Sequence, residues 1–339
     1  MHILLFKGEH MRKTTLVLAL PLFFTPVLGF DVAKLNTKKA VPYEQKTQEF
    51  RLPVGIDENG VIDEAKLGDS PYAKTVIYGA KLINETTRYL GPQAKDEKMR
   101  FAGNNLSCSS CHTSGGVVPD QSPFVGIYAR FPQYVARSDQ LVTLQDRING
   151  CFQRSMAGKA IPTNSKEMRA MIAYMHWLSA GYEVGAKVKG QGLPKAQFLD
   201  RAADPKKGRE IYAAKCAACH GENGEGIKNE GFAQGGDYYT FPALWGDDSY
   251  NTGAGMYRLI EGARYVKATM PKGDASLSWE EAFDVTAYIN SKPRKIKPDR
   301  KKDFPDLDVK QMDMDVGPYN DGFDENDHRF GPYKRMIKK

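Results

Sequence analysis

Cys108-Ser109-Ser110-Cys111-His112 decides how this chain is read, because the same spacing returns at Cys216-Ala217-Ala218-Cys219-His220. Two cysteines three apart, followed at once by a histidine, form the attachment pattern of a c-type haem. The thiols make thioether bonds to the porphyrin and the imidazole takes one axial position on iron. A single copy in a cytosolic chain reads equally well as zinc or chance; two copies set among helical segments do not. The chain of 339 residues has five cysteines, so the two motifs leave Cys151 over. It lies between them in RINGCFQRSMAGK, residues 147–159, beside Arg147, Arg154 and Lys159. A soft ligand next to a haem in a cationic setting points to redox chemistry on a small sulfur anion.

Outward from each motif the plan is the same. Tyr72, Val76, Ile77, Ala80, Leu82 and Ile83 give residues 70–90 a helical period, stopped by Gly91-Pro92. Tyr134, Val135, Leu141, Leu144 and Ile148 make residues 131–152 amphipathic and helical in expectation, although Gly150 argues against an unbroken helix there. Residues 164–180 form a further helix, with Asn164 and Glu167 as its capping box and Met168, Met171, Ile172, Met175 and Leu178 as its apolar stripe. Residues 181–202 read as a glycine-rich linker. Short helices at 204–214 and 253–268 and a capped helix at 278–289, boxed by Ser278 and Glu281, repeat the plan around the second motif. Both final helices carry Ala-Tyr, at 173–174 and 287–288. The expected fold is mainly α: two class I cytochrome c-like domains, residues 31–190 and 191–295, each with one covalently attached haem c. Residues 296–339 form an irregular tail wrapping the domains, whose acids do not match calcium-loop spacing and read as solvated.

The formal charge is +7, which up to four haem propionates would bring near neutral, so nucleic acid is not an expected partner. Met11-Arg12-Lys13 followed by the apolar run 16–28 makes residues 1–30 a secretory signal, with Met1 or Met11 as the start. The run is too short and too interrupted by Pro21 and Pro26 to span a membrane. Covalent haem in an exported chain places the protein in the periplasm, with no membrane span after signal removal.

The sixth ligand of each iron decides what each haem does. For the second, Met270 in a Met-Pro loop ahead of the last helix is favoured over Lys267, whose amine must lose a proton to ligate. For the first, Cys151 competes with Met156, Met168, Met171, Met175 and His176. A free thiol in an oxidising compartment is a liability unless it is used or buried, which favours Cys151. Arg137, Arg147, Arg154 and Lys159 suit an oxyanion, since guanidinium forks match paired oxygens.

The strings YGAKLINETTRYLGP (78–92), FPQYVARSDQLVTLQDRINGCFQRSMAGKAIP (131–162), FPALWGDDSYNTGAGM (241–256), GPYNDGF (317–323) and HRFGPY (328–333) resemble the dihaem thiosulfate dehydrogenases. The first domain is also similar to the haem-and-cysteine subunit of the Sox complex. The resemblance implies two thiosulfate anions joined as tetrathionate at the first haem, ligated by His112 and Cys151. It implies Arg137, Arg147 and Ser155 at the substrate, with Lys159 nearby, and a second haem, ligated by His220 and Met270, as the electron exit. It implies a soluble acceptor such as a small cytochrome c or a high-potential iron-sulfur protein, and a reverse reaction, tetrathionate reduction, at the same site. Where some relatives carry a lysine that competes with the methionine, Thr269 precedes Met270 here, and Ala157 replaces a frequent asparagine. Two rival readings remain: a non-enzymatic dihaem relay docking through Arg294–Lys302, and a dihaem peroxidase.

Overall fold

The computed structural model describes residues 46–337, so the signal reading of residues 1–30 lies outside the described chain. The first half runs β1 (Thr47–Gln48), α1 (Glu64–Leu67), α2 (Pro71–Asn84), α3 (Thr86–Leu90), the single turn α4 (Thr113–Gly116), β2 (Gln133–Val135), β3 (Gln140–Val142), α5 (Leu144–Gln153), α6 (Lys166–Trp177) and β4 (Lys187–Val188). The second half runs α7 (Pro205–Lys215), α8 (Ala217–His220), β5 (Ile227–Lys228), β6 (Tyr239–Phe241), α9 (Leu259–Thr269) and α10 (Trp279–Asn290), with α11 (Glu325–Phe330) in the tail. The described strands form three two-stranded pairs, so helices carry the fold.

Helix α2 starts where Ser70 accepts from the Ala73 N–H and Pro71 presets the first turn. Its buried face, with Val76, Leu82 and Ile83, packs with Met168 and Met171 of α6 and with Leu178 just past its end. The expected helix over 70–90 is broken at Glu85. There the Thr86 hydroxyl donates to the Leu82 carbonyl at 2.8 Å and accepts the Cys108 N–H at 3.1 Å. The break therefore ties the first haem motif to the helix.

The repeat read from Ala-Tyr has a steric basis. A Cβ on Gly79 would stand 2.1 Å from the Ala170 carbonyl oxygen and 2.9 Å from Tyr174 Cβ. A Cβ on Gly208 would stand 1.9 Å from the Asp284 carbonyl oxygen and 2.9 Å from Tyr288 Cβ. In both halves the helix before the motif crosses the last helix backbone to backbone, which only glycine permits.

Two local expectations are corrected. Residues 131–152 are not one helix: β2 and β3 form an antiparallel hairpin, and only 144–153 are helical. Asp139 turns the hairpin at φ 51° while accepting the Tyr134 hydroxyl at 2.8 Å, and the Thr143–Asp146 capping box starts α5 afresh. Gly150 lies inside α5 without breaking it, because Asn149 clamps both the N–H and the carbonyl of Ile161. The cap of α6 is Ser165, which accepts from Met168 N–H at 3.1 Å, rather than Asn164. Ser165→Ala should cost about 1 kcal/mol in chemical denaturation. Asn164→Ala should cost nothing measurable, and the reverse order would refute the assignment.

The tail is not a solvated appendage. Tyr333 and Met336 join Leu259, Ala263 and Phe283 in one core. Asp313, 3% exposed, accepts from Arg258 at 3.1 Å and from the Ile260 N–H at 3.0 Å. It thereby caps α9, whose own N-cap residue supplies no side-chain bond. The basic stretch 294–302 also turns partly inward. Arg294 donates to the Ile289 and Leu244 carbonyls, Lys295 to the Gly103 carbonyl and Arg300 to Asp315. The docking face that the relay reading required is thus partly spent on the fold.

Candidate active site

The second half holds the helix that carries Cys151. Asn251 donates to the Gln153 carbonyl at 2.9 Å, and its own N–H reaches the Arg154 carbonyl at 3.2 Å. Asn104, fully buried, links the Ser155 and Ser249 carbonyls. Arg154 forms two 2.7 Å bonds with Asp303. Its guanidinium is committed to the tail and is not part of an anion site. These bonds satisfy the carbonyls that a helix C-terminus leaves open.

A cleft of about 680 Å³ opens against α5, walled by Cys108, Cys111, His112, Arg147, Cys151 and Ser155 together with apolar side chains. The His112 Nδ1–H donates to the Ser122 carbonyl at 2.5 Å, and Phe124 packs on the ring at 4.2 Å between centroids. A carbonyl only accepts, so the proton sits on Nδ1 and Nε2 is left as a ligand. His220 repeats this with the Pro242 carbonyl at 2.8 Å. Cys216 and Met270 pack on the same core of the second half with Leu244 and Trp245, and Cys219 is exposed. The donor set fits one haem c against each motif.

Three cysteines share the cleft, yet their thiols differ. Burial pushes Cys108 and Cys111 up to about 12. Burial also works against the Cys151 thiolate, but the Arg147 guanidinium and the His112 imidazole outweigh it and bring that thiol down to about 6. Arg147 lies one helical turn earlier and its Nη1 donates to Cys151 Sγ at 3.3 Å. Cys151 is thus a thiolate at neutral pH, facing the imidazole of the motif.

The other sequence candidates separate cleanly. Ser155 lines the cleft, and among the described residues nothing engages its hydroxyl. Met156, Met171 and Met175 line it too, whereas Met168 is core and His176 is turned outward to the Tyr72 hydroxyl at 2.7 Å. Lys159 is exposed, its amine 5.5 Å from the Phe101 ring centre, and is not a wall of the cleft. Arg137 sits in the hairpin turn, outside the wall but within the field of Arg147. Burial, and then the charges of Arg258 and Arg154, bring it down to about 9, so it stays charged at neutral pH. Ala157 holds a left-handed φ of 48°, a conformation asparagine adopts more readily than alanine. Arg130, within the field of Arg147 but not a wall of the cleft, was not singled out from the sequence. Arg147 is 17 positions further on and across a hairpin, so no local pattern links the two.

Two family descriptions match the chain: "SoxA/TsdA, cytochrome c domain" over residues 98–184 and "Cytochrome c" over 205–293. With the fold and the paired motifs, they define a haem c-binding cytochrome with two cytochrome c domains. A thiosulfate dehydrogenase of Allochromatium vinosum is 41% identical over 68% of this chain and 82% of its own length. One of Psychrobacter arcticus is 37% identical over 73% of this chain and 72% of its own. The chain belongs to the thiosulfate dehydrogenase family, and the expectation of an oxidoreductase of that kind holds. Among solved structures, the thiosulfate dehydrogenase (TsdBA) of Marichromatium purpuratum, in its as-isolated form, superposes with a TM-score of 0.63 at 33% identity. That match covers 69% of this chain and about half, 49%, of that one.

Proposed function

We propose that the protein joins two thiosulfate dianions into one tetrathionate at the Cys151 cleft and delivers the two electrons to a soluble acceptor. The observation that carries this reading is the Cys151 sulfur, which shares one cleft with Cys108, Cys111 and His112 and accepts from the Arg147 guanidinium at 3.3 Å. Cys108 and Cys111 would hold the first haem c covalently, and His112 and Cys151 would bind its iron. Cys216, Cys219, His220 and Met270 would hold the second in the same way. Bound haem supplies one-electron acceptor chemistry, and two such groups match the two electrons released. The first lobe, 31–190, carries the chemistry; the second, 191–295, is the exit; the tail, 296–339, locks the two together.

Arg147 and Arg137 supply positive charge that draws the dianions in, and the Ser155 hydroxyl donates to a substrate oxygen. Cys151 forms a bond to the outer sulfur of the first thiosulfate, and two electrons leave. The product is a cysteine carrying a –S–SO₃⁻ group. The outer sulfur of the second thiosulfate attacks the sulfur bonded to Cys151. The cysteine thiolate leaves, tetrathionate is released, and no proton is needed in either step. Run backwards, the same steps reduce tetrathionate.

Export through a signal in residues 1–30 would place the reaction in the periplasm, where a small cytochrome c or a high-potential iron-sulfur protein would take the electrons. Purified holoprotein with an artificial acceptor should consume two thiosulfates for each tetrathionate formed and each electron pair passed. Sulfite or sulfate as the product, or no thiosulfate consumption, would overturn the proposal.

A further inference from the structure

The largely buried carboxylates Asp284, Asp303, Asp313 and Asp315 each meet an arginine. Asp237 does not. It lies half-buried in the loop between β5 and β6 of the second half, and among the described residues it has no ion pair. Its Oδ1 accepts the Ser107 hydroxyl at 2.6 Å and the Tyr238 N–H at 2.8 Å. Ser107 is 2% exposed, directly precedes Cys108 and lines the Cys151 cleft. The carboxylate therefore stands one hydrogen bond behind the cleft wall, beside the first attachment motif.

Both halves hold it there. The Asn229 side-chain amide donates to the Asp237 carbonyl at 3.0 Å, and the Asn229 N–H donates to the Tyr238 carbonyl at 2.8 Å. From α3, Arg88 donates to the Phe232 and Gly236 carbonyls, and its guanidinium covers the Phe232 ring at 4.1 Å. The charge of Arg88 is already matched by Glu85 at 2.7 Å. Burial, opposed by the Ser107 hydroxyl and the Tyr238 N–H, pushes the Asp237 carboxyl up to about 6, so at neutral pH it is still mostly ionised. An unpaired negative charge at the edge of a haem pocket favours the more positive state of the iron, and partial burial limits its screening by water.

We propose that Asp237 is a potential-tuning residue supplied by the second half. Its negative charge behind Ser107 lowers the potential of the haem bound at residues 108–112 and so favours electron flow from the first haem to the second. One electron at a time leaves the first iron, which passes from ferrous to ferric, and enters the second, which passes from ferric to ferrous; no proton moves. The lower the first potential, the further downhill this transfer runs. Asp237 does not line the cleft and acts through its field alone. The inference rests on the dihaem reading above and not on thiosulfate as the substrate.

Holoprotein of the wild type, Asp237→Asn and Ser107→Ala is titrated by spectroelectrochemistry at neutral pH, and the haem wave that Cys151→Ala also moves is that of the first haem. Asp237→Asn keeps an oxygen for both hydrogen bonds and removes the charge. It should raise the first midpoint so that the ferric-to-ferrous ratio at a given potential falls about tenfold, or about 59 mV for one electron. The second midpoint should move less, and haem content should stay at the wild-type value. Ser107→Ala removes the bond and keeps the charge, so it should move the first midpoint much less. A first midpoint that is unchanged or lower in Asp237→Asn overturns the inference, as do equal shifts of both haems. An equal shift in Ser107→Ala overturns it too, because the bond and not the charge would then set the potential. Should Asp237→Asn fail to fold, Asp237→Gln carries the same test and the same outcomes. A wild type with no haem at residues 108–112 overturns the dihaem reading itself, and intact-mass measurement shows that before any titration.

Discussion

Cys151→Ala should abolish thiosulfate turnover, by roughly ten-thousandfold or more, while the haem content per chain stays at the wild-type value. The size of the loss follows from the role: Cys108 and Cys111 would be taken up in thioether bonds to the haem, so no other group in the cleft offers a thiolate. Retention of the fold follows from the helix. The Cys151 carbonyl, not its side chain, accepts the Met156 N–H at 3.0 Å, and alanine is a good helix former. Haem attachment runs through Cys108, Cys111, Cys216 and Cys219, which the substitution leaves alone. Steady-state kinetics together with a pyridine haemochrome assay test the claim. A variant that oxidises thiosulfate at near wild-type rate would reduce Cys151 to a tuning ligand and revive the relay reading. Haem loss in the variant would instead make it a fold residue.

Gly208→Ala should destabilise the protein by at least about 2 kcal/mol, with Gly150→Ala as the opposing control. At Gly208 the added Cβ meets backbone, the Asp284 carbonyl oxygen at 1.9 Å, so no flexible side chain can yield. Helices α7 and α10 must part, which disturbs the paired 2.8 Å bonds from Arg201 to Asp284. Overpacking of this kind costs about 3 kcal/mol, against about 1 kcal/mol gained in helix propensity. The melting temperature should fall by roughly 4–8 °C. At Gly150 a Cβ meets nothing within 4 Å, so the same substitution should gain about 1 kcal/mol. Thermal denaturation followed by circular dichroism reads both signs. Equal shifts for the two variants would refute the close helix crossing.

Much of the site could be read along the chain. The two Cys-x-x-Cys-His motifs, the leftover Cys151 and Arg147 one turn before it lie within short stretches, and helical spacing already brings 147 to 151. The Ser278–Glu281 box held, because both of its bonds are local. The errors came where local pattern was ambiguous. Residues 131–152 have a mixed apolar period, and the turn at Asp139 resolved it into a hairpin and a helix. Asn164 and Ser165 are both good caps, and the start of the helix at Lys166 chose the second.

What reaches across the chain was not available from residue order. Arg147, Arg154 and Lys159 look alike in sequence: three cations around one thiol. Folding gives them different fates. Arg147 bonds the thiolate, Arg154 is taken by Asp303 from the tail, and Lys159 faces solvent. Covalent chemistry and helical period depend on neighbours a few positions apart, so composition and spacing carry them. The charge around Cys151 depends on which distant carboxylates are close enough to neutralise it. Coulomb energy falls with distance in space, not with separation along the chain.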